Sequence, residues 1–278
     1  MSDDLMIDEY TPTNVPALRV GISLASFNNV APYRLVPPAC DIAFVSGDPS
    51  QLTSLMARGE LDACLLPTGA MPALDGAFTP LGPYGIGCNG HVLSVRLFSR
   101  IPVQRLLDTG RSIYVTPRST TSRLLISELF LMDYGLRPRI SSDPAQCDAR
   151  VIIGDEAMDL SREEWRWPVS RDLGEWWFEQ TSLPFIFAQW VTRRTLNAVS
   201  VTALQQWIEQ NLAAAATEDG RARMAALAVE SGWSPAMGRL YFERINYRFT
   251  PQHFAGLALF HSRSRLFDEA ARGIANAI

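Results

Sequence analysis

The chain has 278 residues, 47% hydrophobic and 19% charged, enough apolar material for a large core and above the length at which one core commonly divides in two. Its formal net charge of -4 argues against a nucleic-acid or anionic-membrane partner, since both favour a basic face. All 25 basic residues are arginine, and the lack of lysine excludes a lysine Schiff base, hence ordinary pyridoxal-phosphate chemistry, and the P-loop lysine.

Residues 1–16 are acidic and polar, without the basic and apolar segments of a secretory signal, and are expected to form a disordered leader. No later run reaches transmembrane length, so the expected location is the cytoplasm. Residues 17–23 alternate and then turn apolar, as a strand in a covered sheet does. They lead into Ser26-Phe27-Asn28-Asn29-Val30-Ala31-Pro32-Tyr33, which sets two amide side chains beyond the carboxyl end of a first parallel strand, where open α/β sheets bind ligands. Asparagines there also suit a plain turn. Residues 40–45 read as a second strand, Asp48-Pro49 opens a helix over 50–58, and Gly59 stops it before a third apolar strand ending at Pro67. Strand, helix and strand with short links predict a parallel sheet with right-handed crossovers.

From 71 to 90 the chain is rich in glycine and proline, which argues against regular helix or central strand. It closes with Tyr84-Gly85-Ile86-Gly87-Cys88-Asn89-Gly90-His91, a loop whose glycines let backbone approach a ligand. Residues 92–99 form a long strand that crosses to a second lobe, and 111–116 form another strand there. Ser119-Thr120-Thr121-Ser122 then opens a helix running to about Tyr134, with Gly135 as its stop. Four hydroxyl residues at a helix start, flanked by Arg118 and Arg123, make either a cradle for carboxylate or phosphate or a plain cap beside two solvated arginines. After a strand at 149–153, the turn Gly154-Asp155-Glu156-Ala157 either extends its carboxylates toward a cleft or uses Asp155 as an N-cap.

The tryptophan-rich section from 165 to 177 reads as packing, and residues 184–191 form the strand that carries the chain back. Beyond about 201 the period is helical, with Leu204, Trp207, Ile208 and Leu212 on one face, breaks at Asp219-Gly220 and Gly232, and a helix start at Ser234-Pro235. These helices are expected to cover the first lobe. Cys40, Cys64, Cys88 and Cys147 lack C-x-x-C spacing and His91, His253 and His261 make no metal pattern, so free thiols, no metal and no cofactor are expected. The outcome is an α/β protein with lobe 1 at 17–97 plus 188–278, lobe 2 at 98–187, two crossing hinge strands and a C-terminal helical cover.

This arrangement resembles the type II periplasmic-binding-protein fold, and within it the chain is similar to the chorismate dehydratase family of the futalosine route to menaquinone. The resemblance spans about 18–260 and is carried by the order and spacing of several blocks. They are the Ser26 to Pro32 run, Gly59-Glu60-Leu61-Asp62-Ala63, Asn89-Gly90-His91-Val92-Leu93-Ser94-Val95, Ser119 to Ser122, Ile153 to Ala157, Asp172-Leu173-Gly174-Glu175-Trp176 and Thr181 to Ala188. It implies conversion of chorismate to 3-[(1-carboxyvinyl)oxy]benzoate and water, with no cofactor, by a monomer or homodimer whose partner is this small dicarboxylate.

On that resemblance Asn29 is the family's key asparagine, with Ser26 and Asn28 beside it as substrate contacts. Gly87-Cys88-Asn89 is the substrate loop, with glycine and cysteine where serines are common. Ser119, Thr120, Thr121 and Ser122 are the carboxylate-binding helix start, and Asp155 faces the same cleft. His91, Asp155 and Glu156 are the alternatives for a general base; the working hypothesis is that the substrate's own enolpyruvyl carboxylate takes the proton while Asn29 orients it. The contacting arginine, among Arg34, Arg118 and Arg123, stays open. Two other readings keep the fold: a cytoplasmic small-carboxylate binding or sensing protein, and the sister enzyme 1,4-dihydroxy-6-naphthoate synthase.

Overall fold

The computed structural model of the chain describes residues 17–23, 28–74, 76–163 and 165–275, with side chains as far as 264, so the leader and Ser26 lie outside the described residues. The apolar strands near the amino terminus, β1 (Leu18–Gly21), β2 (Ile42–Val45) and β3 (Ala63–Pro67), run parallel with β1 in the middle, and α1 (Pro49–Ala57) joins β2 to β3. A 3-10 segment, Asn28–Arg34, follows β1, and another, Thr68–Leu74, follows β3. Next comes β4 (Phe78–Cys88), before the chain leaves for a second sheet.

That sheet holds β5 (Val95–Ser99), β6 (Ser112–Val115), β7 (Arg139–Ser141), β8 (Ala149–Ile153) and β9 (Val169–Asp172) in the order β7-β6-β8-β5-β9. Its helices are α2 (Val103–Asp108), α3 (Thr120–Tyr134), α4 (Asp155–Leu160) and α5 (Leu173–Thr181). The chain returns through β10 (Phe185–Arg193) and ends with α6 (Ala198–Ala215), α7 (Glu218–Glu230), α8 (Pro235–Arg244), β11 (Ile245–Arg248) and α9 (Pro251–Ala275). The first sheet thereby reads β11-β4-β10-β3-β1-β2.

Three expectations change. Both sheets are mixed: β1, β2 and β3, and likewise β6, β7 and β8, are parallel, while β4, β5, β9, β10 and β11 join antiparallel because the chain passes between sheets and returns directly. The glycine- and proline-rich run at 78–88 is a central strand of eleven residues. Its glycines admit the neighbouring backbone: a Cβ at Gly85 would lie 2.1 Å from the Ala188 carbonyl oxygen, and register shifts against β10 accommodate the prolines. The strand expected at 92–99 starts only at Val95, so the passages between sheets are residues 89–94 and 182–184, and the expected boundaries at 97/98 and 187/188 fall inside β5 and β10. Leu93 (φ 66°) and Ser182 (φ 55°), the two non-glycine residues with positive φ among the described residues, lie in these passages.

The C-terminal helices pack as their periodicity requires, with Leu204, Trp207, Ile208 and Leu212 all buried. The break expected at Asp219-Gly220 falls before Glu218; Gly220 sits inside α7 because a Cβ there would meet the Ala214 carbonyl at 2.0 Å. Ser234 caps α8 through the Met237 amide, as Ser234-Pro235 predicts. Tyr33 stacks edge-on against Trp190, with ring centroids 5.3 Å apart, and its hydroxyl donates to the Gly85 carbonyl at 3.0 Å.

One side chain of α6 fixes the loop that carries Asn29. Asn211 is fully buried; its oxygen accepts from the Leu35 and Val36 amides at 3.0 and 2.9 Å, and its amide donates to the Val36 and Trp207 carbonyls. Replacing it strands buried donors and acceptors without water. Asn211→Ala is therefore expected to lower the unfolding free energy by about 3 kcal/mol in urea titration, several times the effect of an ordinary surface change.

Candidate active site between the sheets

β1 and β3 end where the second sheet presents the start of α3, and a cavity lies between these ends. Asn29 lines it from the 3-10 segment after β1, and Ser119, Thr121 and Ser122 line it from α3. Ser119 is the N-cap: its oxygen accepts from the Ser122 amide at 3.1 Å, and its hydroxyl donates to the Ser122 oxygen at 2.8 Å. Gly135 ends α3 in the left-handed conformation that its position in the sequence predicts. The rest of the wall is mostly apolar, with Leu65, Ile86, Val92 and Phe187 among it. No described residue that lines the cavity carries an ionisable side chain.

The sheets meet closely beside it. The Gly69 amide donates to the Thr121 hydroxyl at 3.0 Å, and a Cβ at Gly69 would lie 2.7 Å from Thr121 Cα, so only glycine permits this approach. Two polar pairs flank the contact. Arg118 bonds Asp48, the N-cap of α1, at 2.9 Å, and Asp155 accepts from the Asn28 backbone amide at 3.2 Å and its side-chain amide at 3.1 Å. Burial pushes the Asp155 carboxyl above its ordinary range, the Asn28 bonds pull it down in part, and nearby Asp159 adds to the rise.

The structure sorts the sequence-derived candidates. Asn29, Ser119, Thr121 and Ser122 share the cavity, and Asn28 and Asp155 bind one another at its edge. Gly154 rather than Asp155 caps α4, which frees the aspartate for Asn28. Thr120 and Arg123 face a separate outer groove with Ser141 and Ser142, on the other side of the α3 start. Arg118 is committed to Asp48, and Arg34 and Glu156 are exposed.

Gly87, Cys88 and Asn89 do not line the cavity. A Cβ at Gly87 would meet the Phe185 carbonyl at 2.9 Å and the Phe249 ring at 3.0 Å, so a serine has no room, and Cys88 is fully buried with its thiol pushed well up by burial and by Asp172. Asn89 is exposed. His91 turns toward α5, with Nε2 2.9 Å from Glu175 and Nδ1 4.0 Å from Asp172, again outside the cavity. Sequence reasoning passed over Ser94 and Ser23, which do line it. A lone hydroxyl within the apolar run Val92-Leu93-Ser94-Val95 was the available signal. Ser94 is placed because Asp172, the cap of α5, accepts from the Val92 and Leu93 amides, and the Ser94 carbonyl accepts from Gly154 at 2.7 Å. All four cysteines are free, and no cluster of metal-ligating residues occurs among the described residues.

Two α/β layers enclosing a polar-rimmed cavity at their strand ends define a two-lobed, periplasmic-binding-protein-like architecture. Solved structures of the same fold include protein AF1704 from Archaeoglobus fulgidus, with TM-score 0.69 and 18% identity over 93% of this chain and 98% of that one. The aliphatic sulphonate binding protein SsuA of Escherichia coli matches with TM-score 0.62 and 17% identity over 92% and 94%. The Candida albicans CA3427 product, described as having the generic periplasmic binding protein fold, matches with TM-score 0.64 and 10% identity over 91% of each. A family model described as menaquinone biosynthesis matches residues 18–265, and the chain belongs to that family. It is 25% identical over 193 residues, 62% of this chain and 69% of the other, to the chorismate dehydratase of Thermus thermophilus.

The contact at Gly69 yields a direct test of closure. Gly69→Ala inserts a methyl between the sheets and is expected to raise the radius of gyration in small-angle scattering while leaving the circular dichroism spectrum unchanged. An unaltered radius would show that the neighbouring backbone absorbs the methyl.

Proposed function

We propose that this protein is a cytoplasmic chorismate dehydratase, a hydro-lyase that converts chorismate to 3-[(1-carboxyvinyl)oxy]benzoate and water. The observation that carries this reading is a cavity lined by hydroxyls, one amide and apolar side chains, set between the sheets of a chain that belongs to the menaquinone biosynthesis family. The Thermus thermophilus relative supplies the particular reaction.

In the reaction a proton leaves the ring carbon that bears the enolpyruvyl ether and hydroxide leaves the neighbouring carbon. Together they make one water, and the ring becomes aromatic, which drives the step downhill. The protein has to hold a dianion, orient it and exclude bulk water. Neutral donors suffice for this: Ser119, Thr121 and Ser122 at the positive end of α3 meet one carboxylate, and Asn29 orients the enolpyruvyl group opposite. The described cavity residues bring no ionisable side chain, so on this reading the enolpyruvyl carboxylate itself receives the ring proton and passes it to the departing hydroxyl, which leaves as water. The six-stranded sheet with α1 and α6 to α9, and the five-stranded sheet with α2 to α5, act as two lobes that hinge at 89–94 and 182–184 and part to admit the substrate.

A second reading, a carboxylate-binding protein without chemistry, is favoured by that same lack of an ionisable group and by the resemblance to a sulphonate binder. The ultraviolet spectrum separates the two. Purified protein mixed with chorismate is expected to generate a benzoate chromophore, whereas a binder changes only the melting temperature. Asn29→Ala is expected to cut kcat by about 100-fold or more with an unchanged melting curve. The pH–rate profile of His91→Ala should match that of the parent, and loss of a near-neutral pKa in this variant would make His91 the base instead.

A further inference from the structure

Ser94 enters the cavity from the first passage between the sheets, and its hydroxyl has a single side-chain partner among the described residues. That partner is Tyr241 of α8, whose hydroxyl lies 3.1 Å from Ser94 Oγ, with Tyr241 only 1% and Ser94 only 3% exposed. The Tyr241 ring is fixed edge-on against Trp233, with centroids 5.0 Å apart and planes at 90°. The Ser94 backbone is held separately, by Gly154 and by a bond from its own amide to the Val92 carbonyl. The Ser94 backbone thus has its own restraints, and the bond to Tyr241 bears on which way its hydroxyl points. The end of the preceding helix, α7, reaches the edge of the site as well, where the Ser231 hydroxyl donates to Asn28 Oδ1 at 3.4 Å.

Two hydroxyls can share one hydrogen bond in either direction. Burial pushes the Tyr241 phenol pKa upward, so the phenol keeps its proton, and Ser94 Oγ is the only acceptor that the described residues offer it. We infer that Tyr241 is a positioning residue: it donates to Ser94 Oγ and so directs the Ser94 proton into the cavity, toward the substrate oxygen on which negative charge develops. This rests on the dehydratase reading, for which it assigns Ser94 as a substrate-contacting donor and the C-terminal helices as part of the site rather than a cover. A donor locked in place before the substrate arrives stabilises developing charge without reorganisation.

A double-mutant cycle tests it. Tyr241→Phe keeps the ring and its packing and removes only the hydroxyl. It is expected to lower kcat about tenfold with KM little changed, as for loss of one oriented hydrogen bond. Ser94→Ala is expected to lower kcat at least as much, and adding Tyr241→Phe to Ser94→Ala should cause no further fall. An undiminished tenfold fall in the Ser94→Ala background would overturn the proposal, since Tyr241 would then act independently of Ser94. Trp233→Phe loosens the same packing while retaining both hydroxyls; it is expected to lower the melting temperature and leave kcat unchanged, and a fall in kcat matching that of Tyr241→Phe would also overturn the proposal. Should the parent protein turn over no chorismate, the dehydratase reading fails by itself. The Ser94 rotamer in crystals of Tyr241→Phe then decides: rotation of Oγ supports the positioning role, and an unmoved Oγ ends it.

Discussion

The approach of Gly69 to the first turn of α3 sets the rest of the site. Two backbones can come this near only where one residue has no side chain, and here the methylene of Gly69 rests on Thr121 Cα while its amide bonds the Thr121 hydroxyl. That contact draws the strand ends of one sheet onto the helix start of the other. It also fixes which faces of the Ser119 to Ser122 turn look inward: Ser119, Thr121 and Ser122 line the cavity, while Thr120 is left on the outer side with Arg123.

Charge and neutrality are divided by position. The ionisable groups nearest the cleft are used between the sheets, Arg118 on Asp48 and Asp155 on Asn28, and the groups lining the cavity carry no ionisable side chain. The dianionic substrate proposed for such a space depends on oriented dipoles. That suits a weakly polar enclosure, where each donor counts for more than in water and no buried counter-charge must be desolvated when the site is empty. On the proposed dehydratase reading, a neutral lining leaves the proton-accepting role to the ligand.

The carboxyl-terminal helices have a larger part than their amphipathic pattern conveys. Asn211 of α6 pins the segment after Asn29, Tyr241 of α8 meets Ser94, and Ser231 beyond α7 reaches Asn28. Three positions remote in sequence from the cleft thus hold the polar groups at its edge. The first passage between sheets is similarly held from outside, since the Asp172 carboxylate accepts from the amides of Val92 and of the left-handed Leu93.

Much of this was legible in the chain itself. Local chemistry determined the cap at Ser119, the stop at Gly135, the buried face of α6 and the lack of lysine chemistry, because each depends on neighbours within a turn or two or on composition alone. The Asn29 and Ser119 turns both follow strands, and the structure brings them to one cavity. Tertiary structure decided the remainder. Residues 78–88 became a central strand against their composition, since Gly85 makes room for the backbone of Ala188 and does not form a turn. Gly87 and Cys88 were drawn into packing, His91 toward Glu175, and Ser94 into the cavity. Whether a glycine marks a loop or a close approach, and which way a hydroxyl faces, depends on atoms tens of residues away, and no local pattern carries that distance.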